Sequence, residues 1–278
     1  MGSAIGAGWV AGGCAVLTCL AGRSARTQAL SDAAGLTSVA SLDELVSGSD
    51  IVVSVVPPGA AVVAAGSIAE AAVRTGRHVL AVDLNAIAPA TVDRVAAALA
   101  PAGLDLVDGS ISGAPPTRDN PVRVYACGPR AAEFAQLPNP LLDVVVLDGP
   151  VGSASALKMC TASMYKGTQA LVMQALITAD TYGVRDQFLA DTARAWPVDV
   201  PGWHTSVAVA ASKAWRFVDE MHEIAATQRA VGLPGALFDA MAEVYARAAR
   251  TPLGRTPVED LDRSASIDEV LRGLYLDG

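Results

Sequence analysis

Three polar side chains that together can move a proton, Lys158, Thr161 and Tyr165, lie in the stretch from 152 to 182. This stretch contains no proline and a single interior glycine, so it is predicted to form one long helix. Spacings of three and seven residues then place the three side chains on one helix face. Burial lowers the pKa of a lysine, so the sequence predicts an acid or base at Lys158, with a simply solvated amine as the alternative.

A second polar segment, from Asp108 to Ala114, carries serine and glycine just after a strand-like run. The hydroxyl of Ser112 and the backbone amide of Gly113 are suited to holding a small carboxylate. Serine and glycine are also the usual composition of plain turns. The segment on its own leaves both interpretations open.

Arg23, Ser24 and Arg26 form a basic turn after the first strand-like run. In a dinucleotide-binding domain, an acidic residue at this place binds the ribose hydroxyls of NAD, whereas a basic residue accommodates the 2′-phosphate of NADP. No acidic residue is present in this turn, and all three side chains can donate to phosphate. The turn thus favours NADP(H), with an ordinary solvated turn as the alternative.

Two further turns follow strand-like runs. Val56 and Pro57 end one run with a rigid backbone and small side chains, which gives either an apolar ledge for a flat ring or an ordinary tight exit from a strand. Asn85 lies just past another run, where its amide can orient a ligand or cap the next helix.

These turns are placed by an alternation of strand-like and helical segments between residues 14 and 148, which predicts a parallel, doubly wound sheet. The runs predicted to be strands are CAVLTCL, DIVVSVV, HVLAVDL, LDLVDGS, VRVYACG and DVVVLD. Open sheets of this class bind ligands at the carboxyl ends of their strands. After Gly149 the predicted elements are helices only, over 152–182, 186–195, 205–231, 234–249 and 267–274. The chain is therefore predicted to be α/β over 1–149 and all-helical over 150–278.

The 278-residue chain has a formal net charge of -8 and no cluster of lysine or arginine. Nucleic acid and anionic membranes are therefore not expected partners. Cysteine and histidine residues are scattered singly, without the spacings of zinc ligands, so no metal site is predicted. Dispersed thiols in apolar surroundings indicate a reducing compartment, and the protein is predicted to be cytoplasmic.

The first charged residue is Arg23, and the segment before it is uncharged. A secretory signal requires a basic beginning, which this segment lacks, and its glycines weaken any membrane-spanning helix. The favoured interpretation is a short helix from Ser3, a stop at Gly12 and Gly13, and then a strand.

Taken in chain order, these segments resemble the β-hydroxyacid dehydrogenases, relatives of 6-phosphogluconate dehydrogenase with a Rossmann domain and a helical C-terminal domain. The resemblance covers nearly the whole chain and rests on AGRS, VVPP, DLNAIAP, DGSISGA and GPVGSASALKMCTASMYKG. It implies an NADP-dependent oxidoreductase that acts on a small hydroxy acid or its oxo form. The particular substrate is left unassigned.

The resemblance also implies a role for each candidate residue. Lys158 takes the hydroxyl proton of the substrate as hydride leaves for the nicotinamide. The substrate-binding residues are Ser112 and Gly113 at the carboxylate, with Thr161 and Tyr165 beside them. The cofactor-binding residues are Gly2, Arg23 and Ser24 at the dinucleotide phosphates, Val56 and Pro57 along the cofactor, and Asn85 at its nicotinamide end.

The sequence departs from the family pattern in three places. MGSAIGAGWVAGG resembles the middle of the nucleotide-binding motif without its first strand and first two glycines. We expect either that about ten upstream residues supply them or that cofactor binding is weak. Ala162 replaces the family asparagine four residues after the lysine, and Ala114 replaces the second glycine of a Ser-Gly-Gly loop. The usual 3-hydroxyacid substrate is therefore an open question, with Thr161 or Tyr165 as a substitute polar contact.

Two alternative functions remain open. Relatives with the same two-domain plan reduce imines with another proton donor in place of the lysine, and the retention of Lys158 counts against that activity. A non-catalytic dimeric binding protein is consistent with the missing strand and with Ala162. The helices between 205 and 249 are apolar over much of their circumference, so a homodimer is predicted.

Overall fold

The computed structural model describes residues 1–195 and 202–276. The chain divides into two compact units, Met1–Met159 and Cys160–Gly278. The first unit alternates strands and helices, and the second is helical, which confirms the predicted fold class. The boundary between the units falls within one long helix, Ser153–Thr181.

The strands of the first unit form two sheets. A five-stranded sheet has the order β3-β4-β5-β6-β7, and a two-stranded sheet pairs β1 with β2 in parallel. The strands are β1 Leu17–Cys19, β2 Thr37–Val39, β3 Ile51–Ser54, β4 Leu80–Asp83, β5 Leu106–Ser112, β6 Val122–Cys127 and β7 Leu142–Val146. The helices of this unit are α1 Gly2–Ala11, α2 Ala25–Ala33, α3 Leu42–Ser47, α4 Ala61–Thr75, α5 Pro89–Leu99, α6 Ala131–Ala135 and the start of α7 Ser153–Thr181.

Alternate side chains of the central strands enter two separate cores, because successive residues of a strand point to opposite faces. On one face Ala81 and Leu106 pack in a cluster with apolar residues of α4 and α5. On the other face Leu80 and Val107 pack with apolar residues of α1 and α6. Helices thus cover both faces of the sheet, as a doubly wound fold requires.

The sheet is mixed, and the prediction that all its strands are parallel is wrong for one pair. Strand β6 runs antiparallel to β5, with Ser110 opposite Tyr125. A parallel neighbour requires a crossover of about a dozen residues or more, usually a helix. The connection from 113 to 121 contains only an isolated bridge between Thr117 and Asn120, so β6 turns straight back beside β5.

The first predicted strand also differs from expectation. It is shorter than CAVLTCL and pairs with β2, a strand that the sequence did not reveal, rather than with the larger sheet. Val16, Ile51 and Val53 all pack against the cluster that contains Ile5 and Trp9. Apolar side chains therefore connect the two sheets in the part of the chain that the structure describes.

The second unit is built from the remainder of α7 and from shorter helices, which are α8 Arg185–Ala195, α9 Trp203–Ser212, α10 Ala214–Ala230, α11 Ala236–Ala248, α12 Pro252–Arg255 and α13 Ile267–Leu274. The helix predicted over 205–231 is interrupted at Lys213, which leaves helical geometry with φ -109°. At the break Ser212 Oγ donates to the carbonyl of Val209, a local bond that competes with the helical pattern.

The core of the second unit contains a buried ion pair between Lys166 and Glu220. The hydroxyl of Tyr245 donates to the backbone carbonyl of Lys166 at 2.7 Å, and its ring meets the edge of Phe217 at 5.3 Å between centroids. Burial raises the pKa of Tyr245 above its usual value, so this hydroxyl is a permanent donor. These contacts fix α7 against α10 and α11.

Membrane-spanning helices and groups of metal-ligating side chains are both absent from the described ranges. No helix there is both long enough and apolar enough to cross a membrane. Within the same ranges no three His, Cys, Asp or Glu side chains are grouped as metal ligands would be.

Candidate active site

The amine of Lys158 lies at the end of strand β5. Its Nζ donates to the backbone carbonyl of Ile111 at 2.7 Å. Ile111 immediately precedes Ser112 and Gly113, both of which are exposed. The structure therefore brings the predicted proton-transfer residue to the start of the predicted carboxylate-binding segment.

Gly113 continues this segment in a conformation that favours glycine. Its φ is +140°, and a Cβ here would lie 3.1 Å from Val122 Cγ1. A larger residue would be strained and would press on strand β6. The turn after Ser112 therefore requires glycine at this position.

The N-terminal end of helix α7, which carries Lys158, is hydrogen-bonded to the carboxylate of Asp108. Oδ2 of Asp108 accepts from the amides of Gly152 at 3.0 Å and Ser155 at 3.1 Å, and Oδ1 accepts from the Ser155 hydroxyl at 2.6 Å. Asp108 is fully buried on strand β5. A carboxylate at a helix N-terminus satisfies amides that have no partner within the helix. Asp108 and Ile111, on the same strand, thus fix the start of α7 and the lysine amine.

Two more residues complete this junction. Gly152 has φ +102°, a left-handed conformation that lets its amide point at Asp108. The thiol of Cys127 donates to Asp108 Oδ2 at 3.3 Å, and burial raises the pKa of that thiol. Sequence reasoning missed Asp108 and Ser155 as site residues. The available signal was a carboxylate inside an otherwise apolar strand, which requires several donors when it is buried.

Asn85 joins the ends of strands β3 and β4. Its Oδ1 accepts from the amide of Val56 at 2.6 Å, while its Nδ2 donates to Asp83 Oδ2 at 2.7 Å and to Ser54 Oγ at 3.0 Å. Both N–H bonds of this amide are therefore used within the protein. The side chain does not cap helix α5, whose N-cap residue is Ala88.

Asp83 beside it is a buried carboxyl group. Burial raises its pKa from 3.8 to about 6, and the hydrogen bonds from Asn85 act in the opposite direction. Asn85 donates to both of its oxygens, one through the backbone amide at 2.9 Å. The position of the Val56 turn thus depends on a network whose charge changes at moderately acidic pH.

The remaining cofactor candidates lie at two helix starts. Gly2 is exposed in the first turn of α1, and a Cβ there would lie 3.8 Å from Val55 Cβ, beside the Val56 turn. Ser24 is the N-cap of α2, where its Oγ accepts from the amide of Thr27 at 3.3 Å. Arg23 precedes it and is exposed. Helix N-termini present free amides, and anions bind there readily.

Thr161 and Tyr165 belong to the second unit. There they line a cavity of about 650 Å³ between α7 and the start of α9. Tyr165 is 64% exposed. Both residues are placed where a small molecule has room, and their predicted substrate contacts stay predictions.

Comparison with known families divides the chain in the same order. Residues 1–145 match the NAD binding domain of 6-phosphogluconate dehydrogenase. Residues 179–248 match a domain of unknown function, DUF1932. The family resemblance seen in the sequence motifs is therefore confirmed.

Known proteins are similar to the chain at moderate identity. An uncharacterized 28.5 kDa protein of Methanothermus fervidus is 27% identical over 63% of this chain, and the chain spans 65% of the length of that relative. A conserved protein described as structurally similar to 3-hydroxyacid dehydrogenases has 27% identity and a TM-score of 0.65, over 89% of this chain and 92% of the other. A 3-hydroxyisobutyrate dehydrogenase of Mycobacterium tuberculosis, at 21% identity and TM-score 0.69, covers 96% of this chain and 94% of its own, and shares the fold.

Proposed function

This chain belongs to the family of the NAD binding domain of 6-phosphogluconate dehydrogenase, and we propose that it is an oxidoreductase acting on a small hydroxy acid or its oxo form with NADP(H). The observation that carries the proposal is the position of the Lys158 amine, which donates to Ile111 one residue before Ser112. An acid–base group and a loop suited to a carboxylate then meet at the carboxyl end of one strand, where open sheets bind ligands.

The residues at the starts of α1 and α2 fit the phosphate groups of a nicotinamide dinucleotide. The first turn of α1 holds Gly2 beside Val55, and the start of α2 holds Arg23 and Ser24 without an acidic residue between 20 and 31. Arginine donates charge-assisted hydrogen bonds to phosphate, whereas an acidic residue would repel it. NADP(H) is therefore the proposed form of the cofactor, which supplies or accepts a hydride when it is bound.

The turn of Val56 and Pro57 is proposed to lie along the cofactor. Asn85 acts on it indirectly, because both donors of its side-chain amide are already bonded to Asp83 and Ser54. Its side-chain oxygen accepts a hydrogen bond from the amide of Val56, and this bond fixes the position of the turn. We therefore assign Asn85 a positioning role at the nicotinamide end.

The proton is proposed to move at Nζ of Lys158. A lysine amine has up to three N–H bonds, and one of them is directed to Ile111, which holds the amine in place. In the oxidation direction Lys158 takes the hydroxyl proton, and in reduction it returns the proton to the oxo group. The hydroxyl of Ser112 and the amide of Gly113 bind the carboxylate, and Thr161 and Tyr165 provide further polar contacts.

We further propose that residues 1–149 serve as the cofactor domain and that 150–278 serve as the substrate and dimerisation domain of a cytoplasmic homodimer. Imine reduction is the second enzymatic candidate, and a non-catalytic binding protein is the third.

One assay set separates these candidates. Purified protein is incubated with NADP⁺ and a panel of small hydroxy acids, and NADPH formation is followed by absorbance. A parallel panel of ketones and cyclic imines is assayed with NADPH. Turnover of a hydroxy acid that depends on Lys158 supports the proposal. Turnover of imines alone favours imine reduction, and folded protein that binds no NADPH favours the non-catalytic candidate.

A further inference from the structure

The carboxyl group of Asp83 determines which way the side-chain amide of Asn85 faces. Oδ2 of Asp83 accepts from Asn85 Nδ2 at 2.7 Å, and Oδ1 accepts from the backbone amide of Asn85 at 2.9 Å. An ionised carboxylate only accepts hydrogen bonds, so it binds the NH₂ side of the amide and directs the amide oxygen away. That oxygen accepts from the backbone amide of Val56 at 2.6 Å. Asp83 is thus linked to the Val56 turn through Asn85.

The ionised form of Asp83 fits these bonds better than the protonated form. Both of its oxygens face N–H donors of Asn85. A proton on either oxygen would place one donor against another and so weaken one of the two bonds. Asp83 is 2% exposed, so water has little access to replace a lost partner. Protonation is therefore expected to release the Asn85 amide and, with it, the bond to Val56.

The surroundings of Asp83 move its titration toward neutral pH. Burial raises its pKa from 3.8 to about 6, and the charge of Asp108, its neighbour on β5, acts in the same direction. Asp108 in turn contacts the thiol of Cys127 on β6, and β3 contributes the uncharged Ser54. The side chains of α4 and α5 that line the space beside Asp83 are apolar, namely Ala65, Ile68, Val95 and Leu99. The Asn85 amide is therefore expected to respond to pH where Asp83 titrates.

We propose that ionised Asp83 is a positioning residue for the cofactor: it orients the Asn85 amide, which holds the Val56 turn, so that NADP(H) binds more tightly when Asp83 carries its charge. The inference rests on the proposed function in that Val56 and Pro57 are assigned to the cofactor. Because coupling between two binding equilibria is reciprocal, bound cofactor promotes loss of the proton from Asp83.

The first test uses the full chain without cofactor. NMR follows the carboxyl carbon of Asp83 and the backbone amide of Val56 between pH 5.2 and pH 7. The Val56 signal is expected to shift with the same midpoint as the Asp83 carboxyl, because protonation of one group releases the other. This titration of the wild type needs no variant, so it decides whether the two groups are linked even if a substitution prevents folding.

The second test measures NADP⁺ affinity by titration calorimetry at the two ends of this pH range. Asp83→Asn removes the charge at similar volume, and its Val56 signal should no longer follow pH. The ratio of wild-type to Asp83→Asn affinity should fall about two- to fourfold from pH 7 to pH 5.2, as expected for one lost hydrogen bond. The 2′-phosphate of the cofactor affects both proteins alike and cancels in this ratio.

Asp93→Asn is the matched control, because it removes an exposed carboxylate from α5 in the same unit. The ratio of wild-type to Asp93→Asn affinity should stay constant with pH. A Val56 amide that does not respond as Asp83 titrates would overturn the proposal. A constant affinity ratio between wild type and Asp83→Asn, with NADP⁺ bound by both, would also overturn it and leave the proposed function intact.

Failure of the proposed function gives a different result. In that case neither protein binds NADP⁺ at any pH, and the assignment of Asp83 to cofactor binding falls with it. The NMR titration then still reports whether Asp83 holds the Val56 turn through Asn85. The two failures are therefore distinguishable.

Discussion

Asp108 binds both the backbone amide and the hydroxyl of Ser155, one helical turn before Lys158. The same strand offers the Ile111 carbonyl to the lysine amine. The geometry of the proposed acid–base group is thus determined by a strand in the sheet and does not depend on a flexible loop. Sites supported on rigid elements hold their groups more precisely than sites on loops.

Asp108→Asn is expected to destabilise the first unit. An amide nitrogen would face donors that now bind a carboxylate, leaving buried groups without partners at about 1–3 kcal/mol each. Urea unfolding measures the decrease in the free energy of unfolding. Asp143→Asn is the matched control, because its carboxylate pairs with Arg123 on the surface and such pairs contribute about 0–1 kcal/mol. Equal effects of the two substitutions would contradict the role given to Asp108.

Lys158→Met is expected to lower kcat by about a hundred- to ten-thousand-fold, the usual contribution of general acid–base catalysis. Affinity for NADPH, measured by titration calorimetry, should stay near that of the wild type because the lysine is assigned no cofactor contact. If the variant keeps more than about a tenth of the activity, proton transfer belongs to another group. Tyr165→Phe is the next variant to assay in that case.

Arg23→Ala is expected to weaken NADPH binding by roughly 1.5–3 kcal/mol while leaving NADH binding almost unchanged. The reason is the loss of a charge-assisted contact to the 2′-phosphate, which NADH lacks. Arg94→Ala, an exposed arginine on α5, is the control for a general change in charge. Similar affinity of the wild type for both cofactors would refute the assignment of NADP(H).

The stability of the first unit is expected to fall as pH rises from about 4 to 6. Burial raises the pKa of Asp83 to about 6 from 3.8, so the folded state retains a proton that the unfolded state has released. Stability from a raised carboxyl pKa is fully present below the unfolded value and is lost as pH rises through the folded value. The contribution is on the order of 2–3 kcal/mol. The free energy of unfolding, measured with urea at several pH values, should show no such decline in Asp83→Asn. Parallel pH profiles for the wild type and the variant would rule out this role of Asp83.

Much of the fold was predictable because the apolar runs are long and the breaks between them are clear. The single long helix α7 follows from the absence of proline, and the buried strands follow from runs such as HVLAVDL. Strand β2 was missed because Thr37–Val39 is short and mostly exposed, so it carries no apolar signal. The direction of β6 was missed because strand direction depends on the connection, and the sequence shows only the strand.

The candidate site was predictable in part for similar reasons. The types and order of the residues indicated Lys158 and Ser112 as candidates. The lysine amine, however, contacts the backbone carbonyl of Ile111, and a contact to a backbone carbonyl cannot be inferred from residue types. Asn85 was expected to serve a ligand or cap a helix. Its side chain is hydrogen-bonded to Asp83, Ser54 and Val56. These partners become neighbours only when β3 and β4 pair in register.

The second unit is expected to associate into a homodimer. Three large apolar side chains that are close in sequence stand exposed between α10 and α11 and on α11, namely Val231, Leu233 and Leu237, at 69%, 53% and 57%. Clustered exposed apolar residues mark interaction surfaces, and closed twofold dimers are the commonest soluble assembly. Light scattering at micromolar concentration should therefore give a dimer mass. Leu237→Asp should shift the protein toward monomer with its helical content intact, whereas Val63→Asp, at a valine of α4 that is 72% exposed, should not. A monomer in the wild-type sample would contradict the assignment.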